Sequence, residues 1–208
     1  MRIPPAGMLV AALLAPAPAG ASGIDLGMRM DATLFELEMG PGVLPGGQLE
    51  LGYVPDLLDG RIRVSLLWGM AGVAISQSGE DERLYNPKGD PAAEYSGRVA
   101  LHSIHLGLEV GVRLLPSRAR ASPYIVWRPR LMFIRTISDF EVGEMDLPRV
   151  QEWAWYLTAE GGLGLEVRIG QGRLFTDLCV GLFPLANETI GSVVSLSLTA
   201  SVGYRYVF

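Results

Sequence analysis

Apolar and polar residues alternate with a period of two along the last segment of the chain. Over 192–208 the even positions are Val194, Leu196, Leu198, Ala200, Val202, Tyr204, Tyr206 and Phe208. Between them stand Ser195, Ser197, Thr199, Ser201, Gly203, Arg205 and Val207. Successive side chains of a strand point to opposite faces, so this pattern predicts one strand with an apolar face and a small, polar face. It persists for about fifteen residues, where a typical strand runs about five or six.

The same alternation recurs over 26–34, 49–53, 62–70, 104–114, 125–133, 155–169 and 174–182, with Pro129 interrupting the fifth of these segments. Eight strands are therefore predicted. The connections 55–60, 116–123 and 170–172 are tight, whereas 40–47, 75–97, 138–152 and 184–191 are mostly longer and more polar. The alternation loses phase near Leu34 and Phe35 and again between Leu101 and Ile104. Each loss predicts a bulge. Leu-Gly-Leu-Glu-Val occurs at 106–110 and at 163–167, each time shortly before a tight turn, as if one hairpin type were reused.

Alternation fits two closed architectures with opposite faces. A soluble barrel turns its apolar face inward, and a membrane barrel turns it outward. The polar face here is crowded with Gly, Ser and Thr, which fill a narrow eight-stranded interior. Aromatic residues gather at both ends of the apolar face, Tyr53, Tyr204, Tyr206 and Phe208 at one and Trp153 and Trp155 at the other, as in an interfacial girdle. Composition agrees. Of 208 residues 49% are hydrophobic and 26 are Gly, yet no apolar run after the N-terminus reaches the length of about 18 that a helical span needs. These observations predict an all-β fold, a closed antiparallel up-and-down barrel of eight transmembrane strands.

The N-terminus reads as a secretory signal over 1–21. Arg2 is followed by the short apolar run 8–14 and by small residues up to Ala21, after which cleavage is expected. The barrel domain is then 22–208.

The closing run Gly203-Tyr204-Arg205-Tyr206-Val207-Phe208 resembles the C-terminal signature of bacterial outer-membrane barrels. Together with the signal, the strand count and the alternating connections, it extends the resemblance to the small eight-stranded, porin-like or OmpA-like barrels without a periplasmic domain. The resemblance implies an outer-membrane location with periplasmic termini. It also implies recognition by the barrel-assembly machinery through Tyr204, Tyr206 and Phe208. Members of such families include adhesins, protective and membrane-organising proteins, narrow pores and a few lipid-modifying enzymes.

In that architecture the interior encloses Arg29, Asp31, Glu50, Arg61, Arg63, Glu109, Arg113, Arg128, Arg130, Glu160, Glu166, Arg168, Asp177 and Arg205. Isolated ions there are costly, so they are expected in pairs. Folding the chain at the middle of 116–123 sets Glu109 opposite about Arg130, with Arg128 two positions away, and one of these is expected as its partner. The lumen network is read as Glu109, Arg128, Arg130, Arg113, Glu166 and Arg168.

The remaining chemistry is sparse. A net charge of −5 argues against nucleic acid. Cys179 is the only cysteine, His102 and His105 are the only histidines, and neither a cofactor nor a metal site is expected. Ser103, His105 and Glu109 share one face, but His105 and Glu109 are about 13 Å apart along a strand, too far for a direct catalytic contact. His102 falls at the second phase break and is expected at a bulge or interface. Asp139, Glu141, Glu144, Asp146 and Glu152 in one loop and Glu80, Asp81, Glu82, Asp90 and Glu94 in another form a solvated surface that could bridge divalent cations to lipopolysaccharide. The expected role is non-enzymatic, structural or surface-interacting, through loops 75–97 and 138–152, with outer-membrane lipid and lipopolysaccharide as surroundings. The alternatives are a narrow pore for ions or small solutes and an outer-membrane lipid-modifying enzyme.

Overall fold

The computed structural model describes residues 23–37, 40–85, 91–143, 145–187 and 191–208. The expected signal segment lies outside the described residues. Strands β1 (Gly23–Leu37), β2 (Gly40–Val54), β3 (Ile62–Tyr85), β4 (Pro91–Arg113), β5 (Ala121–Val142), β7 (Val150–Ile169), β8 (Gly172–Asn187) and β9 (Gly191–Val207) form an antiparallel ring. The two-residue β6 (Met145–Asp146) pairs only with the far end of β5. The ring closes where β1 meets β9, from Asp25↔Val207 to Leu34↔Leu198. With no strand edge left over there, the backbone of the first and last strands satisfies itself without water.

Faces follow the alternation. Met28, Met30, Leu51, Leu66, Leu108, Leu157, Leu163 and Leu196 point outward, with Met30 71% and Leu157 75% exposed. Ser195, Ser197, Thr199, Ser201 and Arg205 point inward and are buried. An outside covered in large apolar side chains around a charged inside is the inverse of a soluble protein and suits a lipid solvent.

Two expectations at the long-hairpin end are corrected. No bulge occurs at either predicted phase break. The β1–β2 register runs unbroken through Leu34↔Val43 and Phe35↔Gly42. The β3–β4 register runs unbroken from Ile62↔Val112 to Asp81↔Ala93, through Val73↔Leu101, and shifts only between Asp81 and Tyr85. Phe35 and Leu101 keep their phase and face inward. The interior itself changes from charged to apolar at this level, where Phe35, Leu44, Val99, Leu101, Met132, Ile134 and Phe183 form a buried cluster. Likewise the polar stretches expected as loops at 40–47, 75–97, 138–152 and 184–191 are for the most part strand. A backbone ladder continues whether or not one side of it meets lipid, so polarity there does not end the strands.

The wall also divides at this end. β2 and β3 stop pairing at Gly46↔Ala71, and β7 and β8 stop at Glu160↔Gly181. Beyond those points β3–β4–β5–β7 continues as one paired sheet, while β1–β2 and β8–β9 continue as two separate hairpins, the β1–β9 pairing ending at Leu34↔Leu198. The apolar cluster fills the space between them. The Phe35 and Phe183 rings stack at 4.8 Å between centroids. At the opposite end the connections are short. Gly170 takes φ 60°, the left-handed conformation that a tight hairpin turn requires and glycine adopts at little cost.

Pro129 stays in its strand, facing outward and paired in register with Ala159 of β7. It has no N–H to give to β4, and the β4–β5 pairing skips from Gly107↔Arg130 to Val110↔Trp127. Glycine in the wall makes room for interior rings. A Cβ on Gly164 would lie 2.3 Å from Cζ of Tyr124, whose hydroxyl donates to Asp177 Oδ2 at 2.8 Å. Gly164→Ala is therefore expected to lower stability by about 1–3 kcal/mol through overpacking, measured by urea unfolding in lipid vesicles.

Candidate functional site

Among the described residues the interior of the ring concentrates the buried charge, and it is built in layers from inward positions of every long strand. Glu109 of β4 stands at the centre, 1% exposed. Its two oxygens accept from four guanidinium groups. Arg29 Nη2 lies at 2.6 Å, Arg63 Nη1 at 2.7 Å, Arg128 Nε at 2.7 Å and Arg205 Nη2 at 3.0 Å. Glu50 of β2 is the second hub, ion-paired with Arg29 and accepting from Arg205 Nε at 2.8 Å and Arg63 Nη2 at 3.0 Å. Arg63 also forks onto Asp25, with Nε and Nη2 at 2.8 and 2.6 Å. Arg128 reaches on to Asp177 at 2.5 Å and to Glu160 at 3.1 Å, and Glu160 in turn holds Arg130. The planar fork of arginine suits such shared, bidentate contacts, and every cation named here is an arginine.

Nearer the short turns Glu166 takes Arg113 and Arg173 Nη1, the latter at 2.6 Å. The same two arginines tie the turns to the lattice, Arg113 Nη1 donating to Gly60 O at 2.8 Å and Arg173 to Ser117 O. Phe175 supplies a ring face, with the Arg205 guanidinium 3.6 Å and that of Arg29 4.9 Å from its centroid. Asp31 accepts from Gln48. With Asp31 counted, the arginines and acids named here balance in charge.

The residues singled out from the sequence are thus placed as follows. Glu109 meets Arg128, which stands two positions short of the expected opposite residue. Arg130 lies opposite Gly107 and turns to Glu160. Arg113 and Glu166 touch. Arg168 is half-buried opposite Arg173 in the β7–β8 register, and Arg61 is half-buried at the rim. Asp25 and Arg173 belong to the lattice and were not anticipated. Each sits one residue outside the alternating segment that marks its strand, and their inward parity was the available signal. At the chain end Tyr204 and Tyr206 are half-buried and Phe208 is 74% exposed. The rings of Tyr206 and Phe208 pack edge to face at 4.8 Å, and Phe208 N donates to Ile24 O at 3.0 Å.

His102 is exposed on the outside, paired in register with Gly72 and Arg135, with no bulge beside it. His105 and Ser103 are buried, yet neither imidazole nitrogen of His105 nor Oγ of Ser103 has a hydrogen-bond partner among the described residues. The nucleophile–base contact that acyl transfer requires is not formed there. Of the acidic positions in the long hairpins, Glu144 and Asp90 lie outside the described residues. Asp139 and Glu141 are exposed, with Arg149 3.3 Å from Asp139 and Ser96 Oγ 3.4 Å from Glu141.

No protein-family model matches this chain, and no curated protein matches it in sequence. Among solved structures it is similar to the Neisserial surface protein A, at 11% identity and a TM-score of 0.54, over 89% of this chain and 97% of that one. The N-terminal β-barrel domain of Pseudomonas aeruginosa OprF matches at 13% identity and 0.46, over 89% and 100%. The attachment invasion locus protein Ail of Yersinia pestis matches at 14% and 0.40, over 92% and 100%. The chain has the fold of the small eight-stranded outer-membrane barrels.

Proposed function

We propose that this protein resides in the bacterial outer membrane with both termini in the periplasm. There it acts as a non-enzymatic structural or surface-interacting barrel, working through the long hairpins of β3–β4 and β5–β7. The observation that carries this reading is the closed lumen. The arginine–carboxylate lattice fills the middle of the ring, and the apolar cluster fills the long-hairpin end. An ion crossing the barrel would have to break charge-balanced pairs and then traverse a packed apolar layer. Meanwhile β3 and β4, of 24 and 23 residues, carry backbone well beyond the length of about 9–11 residues that crosses a membrane. Material built past the membrane is available for contact with lipopolysaccharide or with a partner at the surface. Tyr204, Tyr206 and Phe208 are the elements offered to the assembly machinery.

Planar-bilayer recording tests this reading against the narrow pore. The purified, heat-modifiable protein is expected to give no conductance steps in 1 M KCl. Ohmic steps that scale with inserted protein would replace the reading with a channel.

A further inference from the structure

The seam between β7 and β8 opens among outward-facing residues. The last pair is Glu160↔Gly181, and Ala159 and Leu182 stand opposite one another just beyond it without pairing. The outward side chains around that point are Leu157, Ala159, Leu182 and Leu196, so the seam lies within the apolar exterior band. Unpaired strand edges facing lipid have no solvent to bond.

Directly inside the seam lies a cavity of about 20 Å³. Asp31, Ser103, His105 and Arg130 line its polar side, Phe183 and Met132 close it toward the apolar cluster, and it reaches Ala159 and Leu182 on the lips of the seam. Asp31 Oδ1, Ser103 Oγ, both ring nitrogens of His105 and Arg130 Nε are buried and have no protein partner among the described residues. Their residues are all at least nine-tenths buried. A water needs a space of about 10–15 Å³ and two to four polar partners. The cavity meets both conditions for one water, and it is too small for a hydrocarbon chain.

We propose that the β7–β8 seam is a side entrance for water, and that a water held in this pocket bridges His105 to its polar neighbours Ser103, Asp31 and Arg130. Solvent then reaches the lumen laterally, beneath the apolar cluster, and hydrates the seam's unpaired backbone on the way. Neither the charged lattice nor the apolar cluster has to open. Ser103 and His105 are in this account a built water site rather than a catalytic pair, which explains two polar side chains that no ion pair uses.

The chain has two histidines, so His102→Gln leaves His105 as its single imidazole. The barrel carrying that change, labelled with 15N-histidine and folded into lipid nanodiscs, is read by water-to-imidazole magnetisation transfer. Transfer to His105 is expected. Ala159→Phe and Leu182→Phe, each placing a ring on one lip of the seam, are each expected to slow it by about tenfold or more, equivalent to about 1.4 kcal/mol of added opening cost. Both changes are on the lipid-facing surface, and two variants on opposite lips keep the test intact if one fails to fold. An imidazole shielded from water would overturn the pocket. Transfer that persists unchanged in the folded Phe variants would overturn the side entrance.

Discussion

Replacing Glu109 by glutamine is expected to lower the unfolding free energy of the barrel by about 3–5 kcal/mol, the cost of leaving buried ions without their counter-charge. The carboxylate is the shared acceptor of Arg29, Arg63, Arg128 and Arg205, all within 3.0 Å. Glutamine has nearly the same shape but carries no charge, and its amide nitrogen presents donors to donors. The surface pair Arg149–Asp139 makes the contrast. Both of its side chains are about half exposed or more, and Asp139→Asn should change stability by less than about 1 kcal/mol. Urea unfolding in phospholipid vesicles, followed by tryptophan fluorescence, reads both. A Glu109→Gln barrel as stable as the parent would mean that the lattice does not hold the strands together.

Leu66→Arg is expected to cost about 2–4 kcal/mol if Leu66 lies near the middle of the bilayer. Leu66 faces outward between Leu51 of β2 and Leu108 of β4, its register partners on either side, so the guanidinium would enter an unbroken leucine row. The size of the effect decides which way the barrel faces its solvent. On a water-facing surface the same substitution would stay within about 0.5 kcal/mol. Unfolding in vesicles of short-chain lipid measures it, and an unperturbed midpoint would contradict a lipid-facing outer surface.

The alternation in β9 announces the fold because each outward residue meets lipid and each inward one meets a crowded lumen. Two environments of opposite polarity imprint a period of two. Where the lumen stops being polar, that imprint fades. Phe35, Val99 and Leu101 are inward yet apolar, so the same rule that locates strands misreads them as slips. Further along β3 and β4, over 76–79 and 94–98, the residues other than Tyr95 are polar or glycine on both faces, the pattern disappears, and strand looks like loop. The ion lattice was legible as a set of inward charges, since parity places them. Its wiring was not, because one carboxylate shared by four arginines depends on how far each side chain reaches across the ring, which spacing along a strand does not encode. Arg128 rather than Arg130 reaches Glu109 because the register puts Gly107, two positions before Glu109 in β4, opposite Arg130.

The central claim is that this chain closes into a membrane barrel with its charges inside. Its most direct test is the mobility of the protein from isolated outer membranes on a detergent gel, with and without boiling. The account predicts that the protein is found in that fraction and that the unboiled form migrates faster, as a closed barrel that resists the detergent until heated. Recovery in the soluble periplasmic fraction, with one mobility before and after boiling, would contradict it.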